Sequence, residues 1–237
     1  MIKRIFDIIA SVTLVTILSP LLIIFSFLIW TQDWNSPFYI SPRVGKNNNL
    51  FKMIKFRSMI INADKSGVDS TGANDSRITK LGTFIRKYKI DELPNLINII
   101  LGEMSFVGPR PNVSRETNLY TEQEKSLLAI CPGMTDLSSI VFSDEGDILE
   151  SSLDPDLDYN QLIRPWKSRL GIFYVESRTF FMDLKLIILT LIAILSKKTS
   201  LRYINKILLK NNASEDLIKI CLRLNPLVPH PPPGSNQ

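Results

Sequence analysis

Two adjacent carboxylates, Asp91 and Glu92, are the side chains of this sequence best suited to nucleophilic or metal-assisted chemistry. Three cations closely precede them: Arg86, Lys87 and Lys89. A carboxylate kept ionised beside cations suits attack on a phosphate, and a second one suits Mg²⁺, which prefers oxygen ligands. The plainer alternative is a helix start, where free amides and the helix dipole favour an N-cap aspartate and a first-turn acid. We expect Asp91 at such an N-cap, and both interpretations of the pair remain open at this point.

A second candidate site is the glycine-proline-arginine-proline sequence at residues 108–111. Pro109 fixes its own backbone φ, and Pro111 restricts Arg110 to an extended conformation. Gly108 permits close approach of another backbone segment. An arginine constrained in this way is preorganised to bind phosphate, although it would also fit a rigid turn with an exposed arginine. Other cations could complete an anion pocket or simply be solvated surface: Lys55, Arg57 and Arg86.

The composition excludes several common catalytic systems. The 237-residue chain has one histidine, His230 in a proline-rich tail, and two cysteines, Cys131 and Cys221. Ser-His-Asp and Cys-His nucleophiles, and zinc sites built from histidine and cysteine, therefore lack their residues. A net charge of +5 together with 45% apolar residues favours a membrane surface, phosphorylated metabolites or nucleic acid as partners.

The first element that must position these residues is an apolar segment near the N-terminus. It contains 25 uncharged residues, 8–32, with Ser19 and Pro20 near its middle. Proline removes a hydrogen bond and clashes with the preceding turn, so we expect a break there that leaves two arms of about 12 residues, or roughly 18 Å each. A kinked transmembrane helix is the alternative. Because Lys3, Arg4 and a basic C-terminal domain all favour the cytoplasmic side, a re-entrant helix with both ends inside fits the charges better.

Local patterns predict the remaining elements. Residues 38–40 and 50–54 flank an asparagine-rich turn, which predicts a β-hairpin whose second strand carries Lys55 and Arg57. Residues 62–76 are typical of a loop, and residues 80–89 of a short basic helix. Apolar residues at helical spacing predict a helix that begins at Asp91 and ends at Gly102. A further helix is predicted at residues 120–130.

The C-terminal part is predicted to be helical as well. Residues 180–195 are apolar but too short in their uncharged core to span a bilayer, so we expect them at the interface or in the core. Two amphipathic helices follow, and residues 225–237, with five prolines, are expected to be a flexible tail. The predicted fold is α+β and mostly helical: a re-entrant helix (1–33), a small catalytic domain with a β-hairpin and interfacial amphipathic helices (34–200), a helical extension (201–224) and the tail.

Together these residues resemble the bacterial sugar transferase family of monotopic phosphoglycosyl transferases. The motifs that carry the resemblance occur in this order: KRIFD at 3–7, SP at 19–20, FKMIKFRSM at 51–59, DELP at 91–94, GEMSFVGPRP at 102–111, YV at 174–175 and FMDLK at 181–185. The resemblance implies transfer of a sugar phosphate from a UDP-sugar to polyprenyl (undecaprenyl) phosphate with release of UMP. It implies Asp91 as the nucleophile that forms a phosphosugar–aspartyl intermediate, and Glu92 with Asp91 as ligands of Mg²⁺.

The same resemblance implies substrate binding by basic and loop residues: Lys55, Arg57, Arg86, Gly108, Pro109, Arg110 and Pro111. It places the protein at the bacterial inner membrane, against lipid, with its catalytic domain on the cytoplasmic face and no nucleic-acid partner; a homodimer is left open. The chain would be a minimal form with a C-terminal extension.

One segment departs from the family pattern and puts the choice of sugar in doubt. After PGMT at 132–135, many members continue with glycine, an aromatic residue and glutamine, whereas this chain has Asp136–Ile140 and then seven acids and no base in residues 143–158. A non-catalytic membrane scaffold for glycan-assembly enzymes is the alternative function. A nucleic-acid-binding module fits less well because no recognised motif accompanies the charge.

Overall fold

The structure is a computed structural model that describes residues 1–63, 75–223 and 225–235. Its longest element is helix α1, Ile2–Trp30, which contains Pro20. Within the described residues, α1 is the one helix long and apolar enough to cross a membrane. Most of the predicted loop at 62–76 lies outside the described residues.

Helix α1 is continuous through Ser19 and Pro20, so the chain does not leave the helical conformation there, and the bend that a re-entrant helix needs at Pro20 stays a prediction. Proline has no N–H, and its position in a helix leaves the carbonyl of Thr16 without its usual donor. The Ser19 hydroxyl donates to that carbonyl at 2.8 Å. The side chain of the preceding residue thus satisfies the group that Pro20 leaves free, and the helix proceeds.

The predicted hairpin is confirmed. Strand β1, Phe38–Val44, pairs antiparallel with β2, Leu50–Phe56, in a register that places Tyr39 opposite Lys55. The connecting turn contains Asn47 at φ 55° and Asn48 at φ 65°, in the left-handed region that asparagine tolerates.

The candidate dyad lies between two short helices. Helix α2, Lys80–Lys87, leads into a 3₁₀ turn, Ile90–Glu92, and then into α3, Asn95–Leu101. Asp91 is inside the 3₁₀ turn and the N-cap of α3 is Pro94, so the predicted N-cap role of Asp91 is wrong. The physical reason is that the 3₁₀ turn begins at Ile90, one residue before the DELP motif, which places Asp91 within the turn instead of ahead of it. Gly102 ends α3 at φ 87°, as predicted.

A second, parallel pair of strands was not predicted. Strand β3, Ser105–Val107, directly precedes the Gly108–Pro111 motif and pairs with β4, Gly133–Thr135. Three residues are too few to show strand periodicity, so local sequence could not reveal this sheet. The predicted helix at 120–130 is a 3₁₀ helix, Glu124–Ala129.

The remaining helices build the body of the molecule. In chain order they are α4 (Ser114–Thr117), α5 (Leu137–Val141), α6 (Glu145–Ile148), α7 (Pro155–Asp158), a π-helix (Tyr159–Ile163), α8 (Arg164–Ser177), α9 (Phe180–Leu195), α10 (Lys197–Lys210) and α11 (Glu215–Leu222). The overall composition, mostly helical with small sheets, agrees with the predicted α+β class.

Both ends of α1 are docked on this one body. At its start, Lys3 pairs with Asp183 of α9 at 2.6 Å. At its end, Phe25 and Ile29 form an apolar cluster with Phe56 and Ile85, on β2 and α2.

The proline-rich tail is also docked, so the prediction of a flexible tail is wrong for residues 225–235. The backbone N–H of His230 donates to the carbonyl of Gln161 at 3.0 Å, and its ring packs on Trp166 with centroids 4.5 Å apart. Arg169 donates to the carbonyl of Pro231 at 2.8 Å. Proline removes donors but keeps its carbonyl, and these carbonyls and one ring provide the contacts that hold the segment.

Candidate active site

The two adjacent carboxylates are buried at the bottom of a cationic site. Asp91 is 9% exposed and Glu92 is 7% exposed. Glu92 Oε1 accepts from Lys55 Nζ at 3.1 Å and from Arg110 Nη2 at 2.8 Å. The tertiary structure therefore joins residues from β2, the 3₁₀ turn and the loop after β3.

The two carboxylates differ in their electrostatic environment. Burial raises the pKa of Glu92, but Arg110 and Lys55 outweigh burial and hold the pKa well below its usual range. Burial raises the pKa of Asp91, and the neighbouring charge of Glu92 raises it further. Burial also lowers the pKa of the Lys55 ammonium. Glu92 is thus a fixed anion of the site, while Asp91 is the carboxylate whose charge the surrounding residues compensate less completely.

Asp91 is also incompletely hydrogen-bonded. Its Oδ1 is buried and has no hydrogen-bond partner among the residues that the structure describes. A buried oxygen without a partner is uncommon in folded proteins and calls for a reason. An oxygen that must approach an incoming phosphorus or metal ion has that reason, because a strong internal hydrogen bond would compete with its function.

Close backbone packing fixes the Arg110 loop. A Cβ on Gly108 would lie 2.4 Å from the carbonyl oxygen of Cys131, so only glycine allows this approach. The Gly108 N–H donates to Thr135 O at 3.0 Å, and the Gly133 N–H donates to Pro109 O at 3.0 Å. These contacts, together with the two prolines, hold the Arg110 side chain towards Glu92 and confirm the predicted role of Gly108 in close approach.

Asn98 of α3 positions Lys55, and sequence analysis did not select it. Its Oδ1 accepts from the Ile54 N–H at 3.0 Å, and its Nδ2 donates to Lys52 O at 2.8 Å. Asn98 is fully buried, and its two hydrogen bonds join the edge of β2 that does not pair with β1 to α3. The sequence signal for Asn98 is a polar side chain between apolar neighbours in α3.

The structure separates the other predicted cations. Arg57 Nη2 donates to Asp33 Oδ1 at 2.7 Å, and Arg57 Nε donates to Ser36 O at 3.0 Å, so Arg57 ties β2 to the end of α1 and is not directed to the dyad. Arg86 is half-buried and close enough to Asp91 for its charge to lower the pKa of that carboxyl, although this effect is weaker than the opposite effect of burial. Of the predicted cations, Lys55 and Arg110 contact Glu92, Arg86 acts on Asp91 only through its charge, and Arg57 contacts Asp33; an anion pocket built from them stays a prediction.

A second charged cluster lies beside Arg110 and was not selected from the sequence. Glu145 forms an ion pair with Lys167, whose Nζ lies 5.3 Å from the centre of the Tyr159 ring. The negative charge of Glu145 contributes to raising the pKa of Arg110, after the larger effect of Glu92. The parallel pairing of β3 and β4 explains this proximity, because the Arg110 loop and the segment leading to Glu145 leave the sheet at the same edge. The acidic stretch at residues 143–158 was the sequence signal that could have pointed to Glu145. Lys89, whose charge lowers the pKa of both carboxylates of the dyad, belongs to the basic segment at residues 80–89.

Comparison with known proteins agrees with these features. The profile of a family described as bacterial sugar transferase matches residues 1–197. This chain belongs to the bacterial sugar transferase family. The match includes the dyad and the Arg110 loop, whereas most of α10, all of α11 and the tail lie beyond it.

Several curated proteins are similar to part of this chain. The chain is 40% identical to an undecaprenyl-phosphate galactose phosphotransferase of Salmonella typhimurium, over 57% of this chain and 31% of that protein. It is 34% identical to an undecaprenyl-phosphate glucose phosphotransferase of Komagataeibacter xylinus, over 80% of this chain and 35% of that protein. An exopolysaccharide production protein of Sinorhizobium fredii is 38% identical over 58% of this chain and 68% of that protein. The chain thus spans about a third of the first two relatives.

The dyad of this transferase offers a fit for Mg²⁺. No cluster of three or more histidine, cysteine or acidic side chains that could hold a metal occurs among the described residues. Mg²⁺ is commonly bound by only one or two carboxylates together with substrate phosphates. The unpartnered Asp91 Oδ1 and the neighbouring Glu92, whose ion pairs both use Oε1, match that donor set.

Proposed function

We propose that this bacterial sugar transferase moves a sugar 1-phosphate from a UDP-sugar to polyprenyl phosphate and releases UMP. The observation that carries the proposal is the buried Asp91 carboxylate with an unpartnered oxygen beside Glu92, Lys55 and Arg110. The relatives that are named as undecaprenyl-phosphate sugar phosphotransferases support the same reaction class. A scaffold without catalysis has no need for two adjacent buried carboxylates, which are costly to bury.

In the first half of the proposed reaction, Asp91 is the nucleophile. One carboxylate oxygen of Asp91 forms a bond to the β-phosphorus of the UDP-sugar, and the bond from that phosphorus to the bridging oxygen breaks, so that UMP leaves with the electron pair. The sugar phosphate is then held as an acyl phosphate on Asp91. A carboxylate nucleophile of this kind divides one difficult transfer into two steps.

In the second half, the lipid phosphate is the nucleophile. An oxygen of polyprenyl phosphate attacks the same phosphorus, the bond to Asp91 breaks, and the free carboxylate returns with polyprenyl diphosphate sugar as product. Attack and departure therefore use one side chain, and no separate general base is required because both nucleophiles are already anions.

The cations of the site answer the main electrostatic difficulty of this reaction. Phosphoryl transfer depends largely on positioning and on stabilising charge on phosphate oxygens. Arg110 presents a planar donor group from a rigid loop, and Lys55 and Arg86 approach from β2 and α2. Asp91 and Glu92 would hold Mg²⁺, which supplies Lewis-acid neutralisation of the diphosphate when bound.

We further propose that Glu145, Lys167 and Tyr159 recognise the sugar of the donor. Lys167 is 16% exposed and Glu145 is 30% exposed in their side chains, so both can still reach a ligand. Carboxylate and ammonium groups bind sugar hydroxyls as acceptor and donors, respectively. Glu145 is close enough to Arg110, the proposed phosphate ligand, to contribute to raising its pKa, and it lies in the region where the sequence departs from the family pattern.

The proposed location is the cytoplasmic face of the bacterial inner membrane. Both ends of α1 contact the same body, through Lys3 with Asp183 and through Asp33 with Arg57. A helix that crossed the bilayer would separate its ends by about 30 Å of hydrocarbon. A re-entrant α1 keeps both ion pairs on one side, and its basic start favours the inside.

The decisive experiment measures UMP release from a panel of UDP-sugars with polyprenyl phosphate as acceptor. Without acceptor, a donor labelled in its β-phosphate should transfer the label to the wild-type protein and not to Asp91→Asn. Acceptor-dependent UMP release without any labelled protein under rapid quench would contradict the covalent route. Absence of release with every donor would contradict the activity itself.

A further inference from the structure

Helix α10 carries a regular stripe of exposed cations. The stripe consists of Lys198, Arg202, Lys206 and Lys210, each four residues after the last. At 1.5 Å per residue the four side chains extend over roughly 18 Å along one face of the helix. Most of α10, including this stripe, lies outside the residues matched by the family profile.

The direction of the stripe is fixed by the opposite face of the helix. Leu201, Ile204 and Leu208 are buried in the main core, so the cationic face points outwards. In the part of the chain that the structure describes, none of the four stripe residues forms an ion pair with an acidic side chain. This differs from Lys197, one residue earlier, which pairs with Asp144. The stripe is therefore available to an external anion.

Exposed apolar side chains accompany the cations. Tyr203 and Leu209 lie beside the stripe and are half exposed. The preceding helix α9 presents a second exposed face that is apolar apart from Lys185, with Phe181, Ile188, Leu191, Ile194 and Leu195. Leu195, which is 90% exposed, is the last residue of α9, and only Ser196 separates it from α10. Charge and apolar surface thus occur together at the junction of the two helices.

The exposed apolar face of α9 continues that of α1. The rings of Phe6 and Phe180 make edge-on contact with centroids 5.5 Å apart, and Phe181 beside them is exposed. Ile5 and Ile9 of α1 are exposed at the same end. Exposed apolar side chains therefore occur where the starts of α1 and α9 meet, along α9, and at the end of α9 that precedes α10.

We propose that the cationic stripe of α10 binds the headgroups of anionic phospholipids, while Tyr203, Leu209 and the exposed face of α9 enter the membrane interface. An amphipathic helix with cations and apolar residues binds membranes by both effects, and anionic lipid strengthens the electrostatic part. A nucleic acid would use the cations but not the apolar face. This inference concerns membrane contact and does not depend on the transfer reaction.

The test uses the full chain reconstituted in vesicles, with an environment-sensitive fluorophore on Leu209→Cys and with Cys131→Ser and Cys221→Ala. One set of vesicles is phosphatidylcholine, and the other contains about one-third phosphatidylglycerol. We expect a blue-shifted, roughly twofold brighter emission in the anionic vesicles, lost at about 0.5 M salt because the charges are screened. The same fluorophore on Leu153→Cys, in the acidic segment, should not respond.

Two variants separate charge from fold. Lys198→Gln with Arg202→Gln, Lys206→Gln and Lys210→Gln removes the stripe and should abolish the response. Lys198→Arg with Lys206→Arg and Lys210→Arg keeps the charge and should retain it. If the glutamine variant unfolds, as judged by circular dichroism, the salt and lipid dependence of the parent chain still decides.

Three results would overturn the proposal. The first is equal emission in both kinds of vesicle, and the second is a full response in the folded glutamine variant. The third is salt-dependent binding of labelled DNA that the glutamine variant loses, without a lipid response at residue 209. That result would assign the stripe to nucleic acid.

Discussion

At the scale of single residues, the adjacent carboxylates of the dyad have opposite structural roles. Glu92 accepts from two cations, whereas Asp91 Oδ1 has no hydrogen-bond partner among the described residues. Glu92 is fixed by two ion pairs, whereas Asp91 keeps the unpartnered oxygen that the proposed mechanism uses. This asymmetry separates the effects of their amide substitutions.

Asp91→Asn should abolish UMP release without lowering the melting temperature, because it removes the nucleophile and a buried charge whose Oδ1 has no hydrogen-bond partner among the described residues. Glu92→Gln should nearly abolish release and also destabilise the protein by on the order of 2–3 kcal/mol, since Lys55 and Arg110 lose their counterion. Thermal denaturation and the release assay measure both effects. Equal melting losses in the two variants would contradict the asymmetry.

A divalent cation should be required for the reaction, with Mg²⁺ the best. The donor diphosphate brings concentrated negative charge to a site where Glu92 already occupies Arg110 and Lys55. EDTA should stop UMP release, and added Mg²⁺ should restore it. Full activity in excess chelator would remove the metal from the proposed mechanism.

Glu145→Gln should weaken discrimination between donor sugars. We expect KM for the preferred UDP-sugar to rise about tenfold, the scale of one lost charge-assisted hydrogen bond, while inhibition by UMP stays unchanged because UMP lacks the sugar. Asp147→Asn is the matched control, since Asp147 is exposed on the same short helix.

An equal loss of UMP affinity in Glu145→Gln would place the cluster at the nucleotide instead of the sugar. An unchanged donor preference, with the wild type active, would remove Glu145 from sugar recognition and leave the proposed transfer reaction intact.

At the scale of secondary structure, the site depends on how α3 is joined to β2. Lys55 is on a strand that has β1 on one edge, and Asn98 binds the backbone beside Lys55 on the other. Arg4 joins α3 to α1 as well, because its Nη2 donates to Ile100 O at 2.8 Å near the end of α3. The elements around the dyad are thus held by buried polar side chains as well as by apolar packing.

Asn98→Ala should lower the stability by about 2 kcal/mol, or roughly 4–8 °C in melting temperature, because the Ile54 N–H and Lys52 O lose their partner in the interior. The reaction rate should fall as Lys55 loses its fixed position. Asn95→Ala is the control on the same helix, since Asn95 is equally buried but its Oδ1 has no partner among the described residues. A melting temperature equal to that of Asn95→Ala would contradict this role of Asn98.

At the scale of the whole molecule, α1 and the body form one unit through contacts at both ends of the helix. The apolar cluster at its end and the Lys3–Asp183 pair at its start are separated by most of the length of α1. Both must lie on the same side of the membrane as the catalytic body, unless the fold opens.

A thiol-labelling experiment tests this topology. Cysteines at Ile2, which is 70% exposed, and at Leu153, which is fully exposed, should both resist an impermeant reagent in intact cells and react after lysis. The background carries Cys131→Ser and Cys221→Ala. Labelling of the Ile2 position from outside, with protection at Leu153, would show a spanning helix.

The local sequence was sufficient to predict elements whose signal lies in neighbouring residues. The apolar segment, the asparagine turn of the hairpin, the stop of α3 at Gly102 and the constrained Arg110 loop follow from side-chain periodicity and backbone preferences. These effects act over a few residues, so they do not depend on how the rest of the chain folds and can be predicted from the sequence. The adjacent carboxylates and the glycine needed at residue 108 could be selected for the same reason.

Only the tertiary structure decided which of the candidate site residues contact one another. Lys55 lies on β2 and Arg57 comes directly after the strand, and both looked suitable, but Lys55 contacts Glu92 while Arg57 contacts Asp33. Glu145, Lys167 and the docking of the tail depend on contacts between distant parts of the chain. The Ser19 hydroxyl donates to the carbonyl that Pro20 leaves free, and α1 continues through a residue that by itself favours a break. Local spacing does not encode the relative placement of distant segments, because that placement results from the packing of the whole core.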